Sequence, residues 1–376
     1  MPGTDARSTQ FARMMSGSPR LNCANMGAEY ELQHVSFAGK RVTILGLGTH
    51  GGGVAAARWM AEEGAIVTIS DAAPAARLER SVQALVDVPI ARWSLGGHQA
   101  EDLARAEWVV VNPGVPPHSP WLRCAGSATR LTTEIELFLA RCPARVIGVT
   151  GTVGKSTTAS MLAAMLTAAG RAVWLGGNIG ASLLPSLGRI QADDVVVLEL
   201  SSFQLHYLSE AARWPELAVI TNCYPNHLAW HGDFARYAEA KRRLVSHAVR
   251  VVMPCEGEVG GWHGSNSAEV LPLVEVARES LHPQLSGDHD RLNAALAATA
   301  AVAMGADEAS IAEALRQFSG LPHRQQWVAE LAGRRFVNDS KATTPSAVAA
   351  AVAAQRAPTW LLLGGREQGG AWELLV

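Results

Sequence analysis

Short apolar runs alternate with longer stretches of helical composition along most of the chain. Residues 41–46 (RVTILG) form an apolar run ending in glycine, 53–63 has helical composition, and 65–70 (AIVTIS) is strand-like. Residues 107–111 (EWVVV) make another strand, which runs into the turn Asn112-Pro113-Gly114. Runs this short and this apolar suit strands covered on both faces, and their alternation with helices points to parallel sheets. The pattern restarts near Cys142-Pro143 with a strand at 145–149, a glycine-rich turn and a helix from Lys155 to about 169. Further strands are expected at 173–175, 194–200, 217–221 and 250–253. Helices are expected at 233–244, 289–304 and 307–317, the last with Asp307 as its N-cap. A third restart follows Gly320-Leu321-Pro322, with a strand at 335–337, a helix at 344–354 and a strand at 359–363 entering Gly364-Gly365. The expected fold class is therefore α/β, in three units at 37–143, 144–321 and 322–376, after a disordered extension at 1–36. The third unit reads as incomplete, because its last strand has only just met its glycine turn.

Composition agrees with several domains: 376 residues exceed one ordinary core, and 48% hydrophobic with 18% charged residues suits a globular chain. Net charge is −2, from 32 basic and 34 acidic side chains, so no overall field favours nucleic acid or an anionic membrane. No stretch reads as a membrane span, and the first forty residues hold no apolar leader. The five cysteines (Cys23, Cys124, Cys142, Cys223, Cys255) form no CxxC pair, which fits free thiols in a reducing, cytoplasmic compartment.

Candidate chemistry lies at the ends of the strands. Gly46-Leu47-Gly48-Thr49-His50-Gly51 is a G-x-G-x-x-G between a strand and a helix, with Asp71 closing the next strand. Glycines let the backbone approach a diphosphate, helix N–H groups face it, and an acid can bond a ribose or base edge. A tight turn with Asp71 as a helix cap accounts for the same residues. The second motif, Thr150-Gly151-Thr152-Val153-Gly154-Lys155-Ser156-Thr157, departs from a strict Walker A because Val149 stands at its first glycine. Its backbone can still wrap phosphates, with Lys155 on the β/γ oxygens and Ser156 on Mg2+. A dehydrogenase needs only the first signature and a plain kinase only the second. An enzyme that activates a nucleotide-carried substrate with ATP needs both.

Glu199 ends an apolar strand, where a carboxylate can bind Mg2+ or cap the next helix. His227 follows a strand and a proline turn, and Lys241 lies fourteen residues on, in helical sequence. A free ammonium beside Mg2+ would be repelled by roughly 4 kcal/mol at 4 Å and an effective dielectric of 20. Lys241 must therefore contact phosphate or be converted to an anion. The clusters around Asp290, Arg324 and Asp339 each read alone as cap and turn chemistry.

Taken in order, these segments resemble the Mur ligase family over about residues 40–370. The phosphate loop and Asn338-Asp339-Ser340-Lys341-Ala342-Thr343 are shared widely in that family. Glu199-Leu200-Ser201-Ser202-Phe203-Gln204-Leu205 and Gly176-Gly177-Asn178-Ile179-Gly180 resemble its glutamate-adding branch more particularly. The resemblance implies a Rossmann-like domain for the UDP end of the substrate, a central ATPase domain with a parallel sheet, and a partial Rossmann-like lid. The implied cofactors are ATP and two Mg2+ ions, and the implied substrates are UDP-N-acetylmuramoyl-L-alanine and glutamate. A monomer, with no nucleic acid and no membrane insertion, is expected.

It also implies residue roles. Gly151, Thr152, Val153, Gly154, Lys155, Ser156 and Thr157 would hold the ATP phosphates, Asn293 and Asp290 the adenine, Arg324 phosphate and Asp339 the ribose. Ser156 and Glu199 would hold one Mg2+, and Glu199, His227 and a carbamylated Lys241 a second. Leu47, Gly48, Thr49 and Asp71 would meet uridine and diphosphate, with Asn112, Gly114 and Asn178 along the sugar and Ser201 and Gln204 also on the UDP substrate. Lys341 and Thr343 would face the acyl phosphate and the glutamate. Lys155, His227, Lys241 and Lys341 would be the catalytic set.

Four positions depart from the family pattern: Val153 for an asparagine, Asn226 for an aspartate, Asp290 for an asparagine, and Gln368 for a lysine expected at the glutamate carboxylate. Two other readings remain open on sequence alone. One is a nicotinamide-dependent oxidoreductase resting on the first glycine motif. The other is a paralogue that binds UDP-muramoyl-alanine or ATP without forming product.

Overall fold

The computed structural model describes residues 32–262, 268–285, 287–343, 345–353, 355 and 357–365. The first unit is built on β1 (Arg41–Leu45), β2 (Ile66–Asp71), β3 (Ile90–Leu95), β4 (Trp108–Val111) and β5 (Arg130–Thr132). They pair in parallel in the order β3-β2-β1-β4-β5. The chain leaves β1 on one side for β2 and returns on the other for β4, and that reversal opens a crevice beyond the strand ends. Sequence periodicity missed β3 and β5, because β3 carries exposed polar positions and β5 spans only three residues.

The second sheet holds β6 (Arg145–Thr150), β7 (Val173–Gly177), β8 (Val195–Glu199), β9 (Leu217–Ile220), β10 (Arg250–Val252) and β11 (Glu269–Val270). Its order is β11-β10-β9-β6-β8-β7, all parallel. The glycine loop after β6 is thus flanked by the ends of β8 and β9. Alternation along β8 serves two cores. Val195 and Val197 pack with the helices Lys155–Ala168 and Asp288–Ala303. Val196 and Leu198 belong to a cluster that also contains Phe37, Ile44 and Leu139 of the first unit. One apolar core therefore joins the first two units on that side, which holds their ligand edges at a set separation.

Two expectations need correcting. Within the expected disordered extension, residues 32–36 carry structure: Leu32–His34 forms a 3-10 turn, and Arg141 donates to the carbonyls of Leu32 and Val35. Residues 359–363 do not form a strand, since Trp360 is 96% and Leu362 95% exposed and neither pairs with a strand among the described residues. A short apolar run becomes a strand only where a partner strand exists. The described part of the third unit is an antiparallel hairpin, β12 (Gln326–Leu331) with β13 (Arg334–Asn338), followed by the helix Pro345–Ala353. Gln368 lies outside the described residues.

Candidate active site

The phosphate loop turns on two glycines. Gly154 has φ +85° and caps the helix Lys155–Ala168, and a Cβ placed there would lie 2.5 Å from Asn293 Oδ1. Asn222, at the end of β9, braces the loop: its Oδ1 accepts from the N–H groups of Thr152 (3.1 Å) and Val153 (3.0 Å), and its Nδ2 donates to the Val153 carbonyl. The Thr152 hydroxyl donates to the Tyr224 carbonyl and lies 2.8 Å from the Tyr237 hydroxyl. Asn222 and Tyr237 lie in the same sequence segment as His227 and Lys241 but were given no role there. The available signal for Tyr237 was its place one helical turn before Lys241.

Charges converge on this loop. Lys155 Nζ donates to the carbonyls of Gly151 (3.0 Å) and Thr152 (2.9 Å). Burial pushes its pKa down, Glu199 opposes that, and Arg324 adds to it. Lys241 is 1% exposed, donates to the Gly151 carbonyl at 2.7 Å and sits 4.8 Å above the Tyr237 ring. Its pKa lies well below the lysine range, through burial first and the Lys155 charge second. Glu199 is 2% exposed: its Oε1 accepts from Asn178 Nδ2 at 2.7 Å, and its Oε2 is buried with no hydrogen-bond partner among the described residues. Arg324 reaches across from the third unit and donates to the Ser156 hydroxyl at 2.9 Å. Lys155 and Arg324 thus bring two fixed cations to a loop with one neighbouring carboxylate, Glu199, an excess of positive charge that suits a polyphosphate.

His227 takes a left-handed conformation (φ 54°) at the start of the helix Leu228–His231. Its ring packs 4.8 Å from Phe203, and burial, then Lys155 and Lys241, lower its pKa, so it is held neutral. Among the described residues no group of three or more His, Cys, Asp and Glu side chains is arranged to hold a metal. The unpartnered Glu199 oxygen and the neighbouring phosphate loop nonetheless fit a divalent cation shared with phosphate, a type of site that needs few protein ligands.

In the first unit Gly46 (φ +87°) and Gly48 (φ +64°) turn back toward β4, and a Cβ on Gly46 would lie 2.8 Å from that of Asn112. Asp71 holds the loop from below, accepting from the N–H groups of Gly48 (3.0 Å) and Ala73 (2.7 Å). Leu47 is buried, so only its backbone faces the crevice, while Thr49 is exposed. Asn112 accepts from Gly114 N–H at 2.9 Å. The structure also adds His98, which sits 2.9 Å from the Ser70 hydroxyl and packs against Trp121.

Several of the expected site residues have partners within the chain. Asn178, expected along the sugar, donates to Glu199 through both its amide side chain and its backbone N–H. Ser201 and Gln204 form a reciprocal capping box at the start of the helix Ser202–Tyr207. Asp290, expected near adenine, accepts from the Gly287 N–H at its helix start, and burial raises its pKa. Asn293 instead reaches the loop, accepting from the Thr158 hydroxyl at 3.2 Å. Asp339 accepts from Gln325 N–H inside the third unit, and Lys341 and Thr343 are exposed there.

Two parallel sheets, each with a glycine loop at its ligand edge and one bearing the loop lysine, define a class of nucleotide-dependent enzymes. Family models agree: the Mur ligase MurD-like N-terminal domain matches residues 40–131 and the Mur ligase middle domain residues 149–258. The chain belongs to the Mur ligase family. It is similar to the UDP-N-acetylmuramoylalanine--D-glutamate ligase of Roseiflexus sp. strain RS-1, at 37% identity over 89% of this chain and 79% of the relative. The protein of the same name from Desulfovibrio desulfuricans is 38% identical over 88% of this chain and 76% of its own. Among solved structures, the UDP-N-acetylmuramate-alanine ligase of Thermotoga maritima shares the fold, with TM-score 0.53 at 21% identity, covering 84% of this chain and 77% of that one.

Proposed function

We propose that the chain forms the amide bond between the terminal carboxylate of UDP-N-acetylmuramoyl-L-alanine and the amine of D-glutamate, using ATP, in peptidoglycan precursor synthesis. The observation that carries this reading is the shared core: a crevice for a nucleotide-linked substrate and a cationic phosphate loop belong to one packed body. A hydride-transfer enzyme would have no use for the second site.

The substrate carboxylate attacks the γ-phosphorus, giving an acyl phosphate and ADP. The glutamate amine then attacks the acyl carbon, loses a proton, and inorganic phosphate leaves. Both steps crowd anions, and fixed positive charge in a closed site offsets that repulsion. Lys155 lies on the loop with its ammonium among carbonyls that ATP phosphates can replace. Arg324 brings the third unit onto Ser156, where it can follow the phosphates as that unit closes. Ser156 and Glu199 would hold Mg2+, which neutralises phosphate charge when bound.

Lys241 is the residue for a carbamate. Burial beside Lys155 keeps its amine neutral and reactive toward CO2, and a carbamate nitrogen retains one hydrogen for the Gly151 carbonyl. The resulting anion would sit with Glu199 and His227 around a second ion. Lys341 and Thr343 would take the glutamate side of the reaction when the lid closes. We place the enzyme in the cytoplasm as a monomer. Cys124, Cys142, Cys223 and Cys255 are free thiols, and no helix among the described residues is long and apolar enough to cross a membrane.

The test is ADP release measured with ATP, Mg2+, UDP-N-acetylmuramoyl-L-alanine and D-glutamate, with each omitted in turn. The reading requires release that depends on both the nucleotide sugar and the amino acid, and a peptide product of matching mass. Hydride transfer to a nicotinamide, or ADP release indifferent to the nucleotide sugar, would overturn it.

A further inference from the structure

The proposed reaction demands that one long substrate be held at two places, its nucleotide in the first-sheet crevice and its carboxylate at the phosphate loop. This inference rests on that functional reading. One short element runs between the two places. Three residues after Glu199, the helix Ser202–Tyr207 begins, and it is braced at both ends. At its start Gln204 N–H donates to Ser201 Oγ, Ser201 N–H donates to Gln204 Oε1 at 2.9 Å, and the Ser202 hydroxyl lies 3.0 Å from His231 Nε2. At its end the Arg243 guanidinium donates to the carbonyls of Leu205 (2.7 Å), His206 (2.9 Å) and Leu208 (2.5 Å).

The far end of this helix enters the first unit. Tyr207 is 4% exposed and packs in a cluster with Leu45, Val111 and Leu122. Its hydroxyl donates to the Val115 carbonyl at 2.7 Å. Val115 N–H in turn donates to the Asn112 carbonyl, closing the turn that lies against Gly46 and Gly48. A second link lies two residues on: Ser209, through its hydroxyl and its N–H, donates to Glu136 of the first unit. Glu136 ties the two units together, whereas the Tyr207 hydroxyl touches only the crevice wall.

We propose that Tyr207 is a positioning residue that sets the span between the nucleotide crevice and the Glu199 end of the phosphate site, and so the length of substrate that fits. Removing its hydroxyl leaves the Val115 carbonyl without that partner and frees the turn, while Ser209–Glu136 and the shared core keep the units together. The loss falls on ligands that bridge both places and spares ligands confined to one.

The experiment is isothermal titration of the full chain and its Tyr207→Phe variant with three probes: UDP, ADP with Mg2+, and UDP-N-acetylmuramoyl-L-alanine. The expected result is affinity for UDP and for ADP within about twofold of the parent, and affinity for the bridging substrate lower by about tenfold, the scale of one lost buried hydrogen bond. Equal affinity for all three probes, or equal loss for all three, would overturn the proposal. If the parent binds ADP but not the nucleotide sugar, the functional reading falls and this inference falls with it. A second measurement needs no variant. Hydrogen exchange in the parent should slow together at residues 112–115 and 202–209 when the bridging substrate binds, and not when UDP alone binds. Slowing of one segment without the other would equally overturn the proposal.

Discussion

A lysine at 1% exposure beside a second lysine cannot keep an ordinary ammonium, and the low pKa of Lys241 follows from that crowding. The same burial that makes the charge costly makes the amine a nucleophile, so residue-level electrostatics favours covalent conversion to an anion. Lys241→Ala should lower turnover by about a hundredfold or more, the scale of removing a fixed charge from a phosphoryl-transfer site. Short carboxylic acids added to the variant should restore part of it by refilling the space. Full activity in the unrescued variant would remove the carbamate from the mechanism. The altered family positions divide on the same physics. Val153 presents the loop backbone as an asparagine would, through an N–H that Asn222 holds. Asp290 serves as a helix-start acceptor, while Asn293 lies against Gly154 of the phosphate loop.

At the scale of elements, the helix Phe234–His247 does more than carry Lys241. Asp233 caps it by accepting from the Arg236 N–H, and its buried face holds Tyr237, Lys241 and Leu244 at helical spacing against the second sheet. Tyr237 braces the phosphate loop through Thr152 and lies under the Lys241 amine. Tyr237→Phe keeps the ring and removes the hydroxyl. Nucleotide affinity should fall about three- to tenfold, consistent with about 0.5–1.5 kcal/mol for one hydrogen bond, with little change in UDP affinity. Titration with ADP and with UDP separates the two, and parallel losses would mean that the tyrosine serves packing alone.

At the scale of the molecule, the seam between the first two units contains carboxyls that are costly to ionise. Glu134, first residue of the helix Glu134–Arg141, accepts from the Ser182 hydroxyl of the second unit, and burial raises its pKa from 4.5 to about 7. The folded chain then holds more protons than the unfolded chain between pH 4.5 and 7. Stability from this group is full below the lower value and declines as pH rises through that window. Glu134→Gln should flatten the decline and raise stability above pH 7 by up to about 3 kcal/mol. Urea unfolding at pH 5 and pH 8 checks this, and an unchanged slope would show that Glu134 stays ionised in the seam.

The alternation of apolar runs and helices was sufficient for the central strands of the parallel sheets, because strands buried on both faces must be apolar throughout, while the edge strands β3 and β5 escaped it. The loop residues Gly46 to Gly51 and Gly151 to Ser156 were legible for a local reason: phosphate recognition by backbone needs glycines at fixed spacing beside a helix start. Of the β12–β13 hairpin only a strand at 335–337 was legible; β12 (QWVAEL) was not, since it carries exposed side chains and takes its pairing from a neighbour. Nor could sequence tell that Asn178 serves Glu199, that Asn222 and Tyr237 brace the loop, or that Tyr207 enters the other unit's core. These residues sit tens of positions from their partners, and such contacts exist only once the chain has folded, for Tyr207 only once the two units pack together. The sequence by itself determined the kind of chemistry, through local backbone geometry. Tertiary structure alone decided which buried polar groups meet, because desolvation and pairing depend on neighbours that the chain order does not name.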